Sequence, residues 1–247
     1  MAARVAQQAV IPGGQFDWRR ILAALPKLLL VISVLSALGM GLMKLNDPGF
    51  LPIQKVRAQG AFINLTEAML LSRVGDINGG YFNVDVRAVQ YTIESLPWVD
   101  RASVRRIWPD TLMISVTEQH AVARWHDKAL LNQRGEVFSP DKNTFPAGLP
   151  VLNGPLDTQQ QLLEHYRAMS AMLTVTGLTI RQLDMDERRS LTLHFDNGLK
   201  LLLGRDAYYL RLERFVRVYD KVLAAEINHI QRIDMRYTNG FSMLRKQ

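Results

Sequence analysis

The chain has 247 residues, a formal net charge of +7 and no cysteine. The lack of cysteine excludes disulfides, thiolate catalysis and cysteine-ligated metals. The basic excess does not indicate nucleic-acid binding, because residues 1–45 alone carry +4 of it and no block of Lys and Arg is interleaved with aromatic residues. We therefore expect no nucleic-acid partner.

The most apolar stretch of the chain begins at Leu28, ends at Met43 and contains no charged residue. A membrane-crossing helix needs about 20 residues, so this run must be extended by its flanks. We predict one transmembrane helix that begins at Ile21 and ends at Leu45. Lys27 lies near one end of this helix, where its side chain can reach the membrane surface.

The charges beside this helix predict its orientation. Basic residues are retained on the cytoplasmic side, and four precede the apolar run: Arg4, Arg19, Arg20 and Lys27. We expect residues 1–20 to form a cytoplasmic tail and the remainder to be exported. The alternative is a cleaved signal peptide with a weak small-x-small site at Gly39-Met40-Gly41.

Residues 50–119 are predicted to form a small β-α-α-β-β domain. Asn64 is the predicted cap of the first helix, and Glu67 completes a capping-box spacing. Asp85 precedes the second helix, which Pro97 ends. Strands are predicted at residues 53–58, 99–107 and 111–118, and Trp98 and Trp108 are expected to pack at the ends of the sheet.

Residues 120–247 are predicted to form a second domain, a mixed or antiparallel sheet with two packed helices. One helix is expected near residues 157–176. The other is predicted to be capped by Asp206 and to have Leu210 and Val222 in its apolar face. Its opposite side is predicted to be a solvated basic face made of Arg211, Arg214, Arg217 and Lys221. Asn197-Gly198 is a strong hairpin signal. Residues 145–155 are expected to be irregular or an edge segment, and a final strand is predicted over residues 230–237, followed by Asn239-Gly240. The fold class is therefore α+β behind a single N-terminal transmembrane helix.

Several motifs resemble the FtsQ family of bacterial cell-division proteins, called DivIB in Gram-positive bacteria. In the first domain they are Leu96-Pro97-Trp98-Val99, Val104-Arg105-Arg106, Trp108-Pro109-Asp110 and Leu112-x-Ile114-x-Val116-x-Glu118. In the second domain they are Ala121-x-Ala123-Arg124-Trp125, Gly204-Arg205 and Ile233-Asp234-Met235-Arg236-Tyr237-x-x-Gly240. The resemblance implies that the first domain is a POTRA domain. It also implies a single-pass inner-membrane protein at the division septum, whose C-terminal region binds the division proteins FtsB and FtsL. Other divisome components are candidate partners of the POTRA domain.

An exposed sheet edge is the best candidate binding site in the sequence. A strand with unpaired N–H and C=O groups can accept a strand from a partner. We expect residues 233–242 to form this edge. Tyr237 and Phe241 are predicted apolar contacts and Arg236 an ionic contact, with help from Arg188 or Arg189. The predicted partner-binding residues are Arg189, Arg236, Tyr237, Thr238, Asn239, Gly240, Phe241 and Ser242.

No catalytic, metal-binding or cofactor-binding site is predicted. The five histidines lack metal-ligand spacing, and Asp184, Asp186 and Glu187 read best as a turn between strands. No nucleophile motif is present, so we predict a non-catalytic protein. The family resemblance implies that it links assembly of the division machinery to septal cell-wall synthesis. The alternatives are a chaperone-like POTRA subunit of outer-membrane polypeptide transport and a membrane-anchored periplasmic hydrolase.

Overall fold

The computed structural model of the chain describes residues 18–45, 49, 51–75, 80–238 and 240–246, with only the backbone described for residues 18–25 and 45. These residues form two compact units. The first contains the N-terminal helix with residues 51–55, 80–85 and 107–111. The second contains residues 56–75, 86–106 and 112–246. Residues 1–17 of the predicted tail lie outside the described residues.

Helix α1, Trp18–Leu45, has the length and composition of a membrane span. Its 28 residues correspond to about 42 Å of helix, more than the roughly 30 Å hydrocarbon core. The segment Pro26–Lys44 has a mean hydropathy of 1.9 and none of it is buried by protein. The helix contains the predicted span, but it starts three residues before Ile21.

The first domain has the predicted β-α-α-β-β order. It consists of β1 (Lys55–Gln59), α2 (Glu67–Val74), α3 (Val86–Glu94), β2 (Val99–Ile107) and β3 (Thr111–Glu118). The strand order is β1-β3-β2, so β3 is central. The amphipathic pattern therefore predicted the elements correctly, and β2 and β3 have the predicted bounds.

The cap predicted for α2 was wrong. Thr66 caps this helix by accepting a hydrogen bond from the Met69 amide at 3.2 Å. The amides of Asn64 and Leu65 instead donate to the Glu118 carboxylate, which lies at the end of β3. Asn64 therefore bonds a carboxylate of β3 and does not cap the helix. The sequence pattern of the helix alone cannot reveal a contact with a residue so far along the chain.

The two tryptophans beside β2 have different environments. Trp98 is buried, and its indole N–H donates to Thr144 Oγ1 at 2.9 Å. Trp108 follows β2, and its side chain is 72% exposed. Packing at the sheet end is thus wrong for Trp108, because the β2–β3 turn carries this side chain into solvent.

The described residues of the C-terminal region form a nine-stranded mixed sheet. Its strand order is β12-β11-β10-β9-β8-β7-β4-β5-β6. The β7 strand pairs in parallel with β4 and β8, and β10 pairs in parallel with β11; the other neighbouring strands are antiparallel. The strands are β4 (Ala121–Trp125), β5 (Ala129–Asn132), β6 (Val137–Phe138), β7 (Val151–Asn153), β8 (Ile180–Met185), β9 (Leu191–Phe195), β10 (Lys200–Gly204), β11 (Ile230–Asp234) and β12 (Ser242–Arg245).

Two helices pack on this sheet through the main core. Helix α4, Gln159–Leu173, contacts β7 and β8, while α5, Tyr208–Val218, contacts α4 and β10. A π-helical turn, Tyr219–Leu223, continues α5. Short 3₁₀ turns lie at Lys142–Thr144, Thr174–Thr176 and Ile227–His229.

Three details of the C-terminal prediction were wrong. Within residues 145–155, β7 is an interior strand because β4 and β8 pair with it on both sides. Asp206 does not cap α5: Ala207 holds that position with φ 52° and no side-chain cap bond. Leu210 and Val222 are exposed, since the face of α5 that packs on the sheet is centred on Leu212 and Phe215.

A second apolar core joins the first domain to the C-terminal sheet within one compact unit. Trp98 and Val99 share it with Leu130 of β5 and Phe138 of β6. The Trp98 and Phe138 rings meet edge to face, with 5.3 Å between their centroids. These strands therefore bury apolar surface jointly with the first domain.

Candidate functional site

Strand β12 forms one edge of the large sheet, and β6 forms the other. The interior strand β11 is paired on one side with β10 and on the other with β12. Within the described part of the chain, no strand pairs with the outer side of β12, and all four of its residues are exposed. This edge presents a row of backbone groups that another extended chain can pair with.

A pocket of about 450 Å³ adjoins the start of β12. It is lined by Tyr237, Thr238, Gly240, Phe241 and Ser242. The side chain of Tyr237 is 57% exposed, which excludes a core role, whereas Phe241 is partly buried against the main core. The pocket therefore combines an anchored aromatic ring with an accessible one.

Arg214 of α5 fixes the chain that leads into this pocket. Its guanidinium donates to the backbone carbonyls of Met235 at 2.9 Å, Tyr237 at 2.8 Å and Thr238 at 2.6 Å. One side chain thus bonds three backbone carbonyls of an otherwise irregular four-residue segment. The sequence interpretation assigned Arg211, Arg214, Arg217 and Lys221 to a solvated face, and that assignment was wrong for Arg214 and for Arg211, which donates to the Leu203 carbonyl.

Arg236 is already paired within the chain. Its Nε donates to Asp234 Oδ1 at 2.9 Å, and its second nitrogen donates to Oδ2 at 2.6 Å. The hydrogen bonds from Arg236 lower the pKa of Asp234, and the carboxylate raises the pKa of Arg236. The Arg236 side chain nonetheless remains more than half exposed, so it can also meet an external anion.

The structure brings most of the predicted binding residues together. Tyr237, Thr238, Gly240, Phe241 and Ser242 line one pocket, and Arg236 directly precedes them. Asn239 lies outside the described residues.

Arg189 lies apart from that set. It occupies the β8–β9 turn with φ 62° and lines a different pocket with His165, Arg205 and Tyr208. The structure does not bring this side chain into the pocket beside β12.

The position of the edge differs from the prediction. The strand expected over residues 230–237 ends at Asp234, and the edge strand follows it after the turn. Met243 and Leu244, both exposed large apolar residues of β12, were missed as binding residues. The dipeptide Asn239-Gly240 was the available signal, because it favours a hairpin that places the next strand outermost.

The remaining polar clusters have structural partners. Asp184 accepts from Asn153 and Gln182, both at 2.8 Å, and Asp186 accepts from the amides of Arg188 and Ser190 in the β8–β9 turn. Among the described residues, no group of three or more His, Asp or Glu side chains could hold a metal ion.

The fold and this edge define a class: a membrane-anchored POTRA protein that carries a sheet with an open strand. Family models agree with both domains. Residues 51–119 match the FtsQ-type POTRA domain, and residues 123–236 match the C-terminal domain of the cell division protein FtsQ/DivIB.

Individual relatives extend this match over most of the chain. The chain is 34% identical over 220 residues to the cell division protein FtsQ of Coxiella burnetii, covering 89% of this chain and 90% of the relative. It is 36% identical over 200 residues to FtsQ of Shewanella oneidensis, covering 81% and 76%. For FtsQ of Methylomonas methanica the identity is 31% over 216 residues, covering 87% and 86%. The chain belongs to the FtsQ/DivIB family of cell-division proteins, so it is a membrane-anchored component of the divisome that functions with protein partners.

Proposed function

We propose that this protein binds the single-span division proteins FtsB and FtsL through β12 and the adjoining pocket, and so links divisome assembly to septal wall synthesis. The observation that carries the proposal is an edge strand whose outer side has no strand partner among the described residues, next to the pocket that Tyr237 and Phe241 line. The resemblance of residues 233–240 to the family motif supports the choice of partners.

The binding step is strand addition. Residues along β12 alternate in the direction of their backbone groups, and Lys246 donates its amide inward to the His229 carbonyl at 2.8 Å. By that alternation the amides of Met243 and Arg245 face outward. A partner strand gains main-chain hydrogen bonds there, while Tyr237 supplies apolar contact at the end of the added strand.

The role we propose is non-catalytic. The domains are a cytoplasmic tail (1–20), a membrane span (21–45), a POTRA domain (50–119) and a C-terminal β domain (120–247). The N-terminus lies in the cytoplasm and both folded domains lie in the periplasm, anchored in the inner membrane at the septum. This arrangement presents β12 on the side of the membrane where the exported parts of single-span partners are accessible.

Two substitutions in the full chain test the site. Met243→Pro removes one outward amide and spares the inward ladder, since proline is tolerated on the outer side of an edge strand. Tyr237→Asp places a charge where an apolar contact is expected. We expect each variant to weaken FtsB binding at least tenfold, measured by titration of labelled FtsB against the purified protein in nanodiscs.

Tyr91→Asp is the matched control, because Tyr91 is an exposed tyrosine on α3 in the POTRA domain. It should leave the affinity unchanged. Unchanged affinity for both Met243→Pro and Tyr237→Asp, with the fold intact by circular dichroism, would refute the proposed edge.

A further inference from the structure

The chain that follows the membrane helix is fastened to two turns of the POTRA domain. The amide of Tyr81 donates to the Leu51 carbonyl at 2.8 Å, and Pro52 and Gly80 form a bridge. Three residues further on, the amides of Gln54 and Lys55 both bond the Asp110 carbonyl. Residues 51–55 therefore hold the 80–84 and 107–111 segments side by side, and all of them belong to the same compact unit as α1.

These two turns carry exposed apolar side chains. Trp108 is 72% exposed, Phe82 49% and Ile107 37%. The Tyr81 and Phe82 rings lie 5.3 Å apart, edge to face, so the aromatic surface extends over neighbouring residues. Large apolar side chains grouped on a surface indicate a contact, and exposed tryptophan is typical of the membrane–water boundary.

The short covalent link to the membrane helix indicates that these apolar side chains contact the membrane surface. Leu51 is six residues beyond Leu45, the last residue of α1. Six extended residues span at most about 22 Å. Lys44 is exposed in the last turn of α1, as expected of a residue at the membrane surface. Whatever path the linker takes, the turns bonded to residues 51–55 stay close to the headgroups.

We propose that Trp108, Phe82 and Ile107 form a membrane-resting tip that enters the lipid headgroup layer at the end of α1. The layer is roughly 5–8 Å deep on each side of the bilayer, which suits aromatic rings at the tip of a turn. This second contact restricts rotation of the POTRA turns about their anchor. It is independent of any partner that binds β12.

Site-directed spin labelling tests the tip in the full chain. The chain has no native cysteine, so single nitroxides can be attached in Trp108→Cys and, as a matched control, in Tyr91→Cys. The variants are placed in nanodiscs of phosphatidylethanolamine and phosphatidylglycerol. We expect the ratio of oxygen to nickel-complex accessibility to be at least threefold higher at position 108 than at position 91; equal ratios would overturn the proposal.

A second measurement keeps the native side chain. Wild type and Trp108→Ala are compared in nanodiscs made with brominated or ordinary lipids. Trp18 is present in both proteins and contributes equally to the quenching. A larger fractional loss of fluorescence in wild type than in Trp108→Ala supports the tip. An equal or smaller loss in wild type contradicts it, because an unquenched Trp108 only adds to the emission that the brominated lipids leave intact.

Discussion

Replacing Arg214 with methionine should make the segment that lines the pocket beside β12 less ordered, while α5, the helix that contains residue 214, stays folded. The guanidinium bonds three carbonyls, at Met235, Tyr237 and Thr238. Methionine keeps the length and helix propensity of the side chain but donates no hydrogen bond. The 235–238 segment then loses the contacts that fix its path.

The expected loss of unfolding free energy depends on how exposed each of the three bonded residues is. Tyr237 and Thr238 are exposed, so water can replace the bonds to their carbonyls. Met235 is buried, and a buried acceptor left without a partner costs about 1–3 kcal/mol. We expect the free energy of unfolding to fall by about that amount, and the amides of residues 236–244 to exchange hydrogen at least tenfold faster.

Hydrogen exchange followed by mass spectrometry on the full chain provides the assay. Arg217→Met is the matched control, because Arg217 is an exposed arginine of the same helix. Arg214→Lys should not rescue, since an ammonium cannot span three carbonyls as a planar guanidinium does. Unchanged exchange in Arg214→Met would show that the segment is held by other contacts.

Three further substitutions test other contacts. Gly204→Ala should lower the free energy of unfolding by about 1–2 kcal/mol, as measured by chemical denaturation. Gly204 has a φ of 77°, and a Cβ at this position would lie 2.8 Å from an Arg211 nitrogen. Asp234→Asn should make the free energy of unfolding depend less on pH on the acid side. In the wild type the lowered pKa of Asp234 stabilises the fold above the unfolded pKa of about 4, and this stabilisation is lost as pH falls through the folded pKa. A pH dependence unchanged from wild type would contradict the pairing with Arg236. Trp98→Phe should cost about 0.5–1.5 kcal/mol more in the wild-type background than in a Thr144→Val background, because only the wild type has the hydrogen bond to lose. Equal costs in the two backgrounds would contradict a stabilising bond.

Local patterns in the sequence predicted most elements of the fold. Alternation along residues 111–118 and the three- and four-residue steps before Pro97 depend only on neighbours in the chain, and β3 and α3 form there as expected. The short apolar segment around Leu152 was harder, because periodicity cannot tell an interior strand from an edge. Its parallel pairing with β4 and β8 depends on residues far away in the chain.

The candidate site was predicted in composition but not in architecture. The family motif and the turn signal pointed to residues 236–242, five of which line the pocket. The sequence could not reveal that Arg236 is committed to Asp234, or that Arg214 reaches across from α5. Both depend on how a helix and a strand end meet in space, and charged residues on a helix face look alike until their partners are known.

The shared apolar core around Trp98 changes how truncations of this protein should be interpreted. A fragment starting near residue 120 would leave Leu130 and Phe138 without the POTRA side chains that cover them. Such a fragment exposes apolar surface that is buried in the intact chain, so it is prone to aggregate even if β12 can still bind a partner. Loss of division activity after deletion of the POTRA domain could therefore result from damage to the neighbouring sheet as well as from loss of a POTRA partner. Point substitutions in the intact chain separate these two causes.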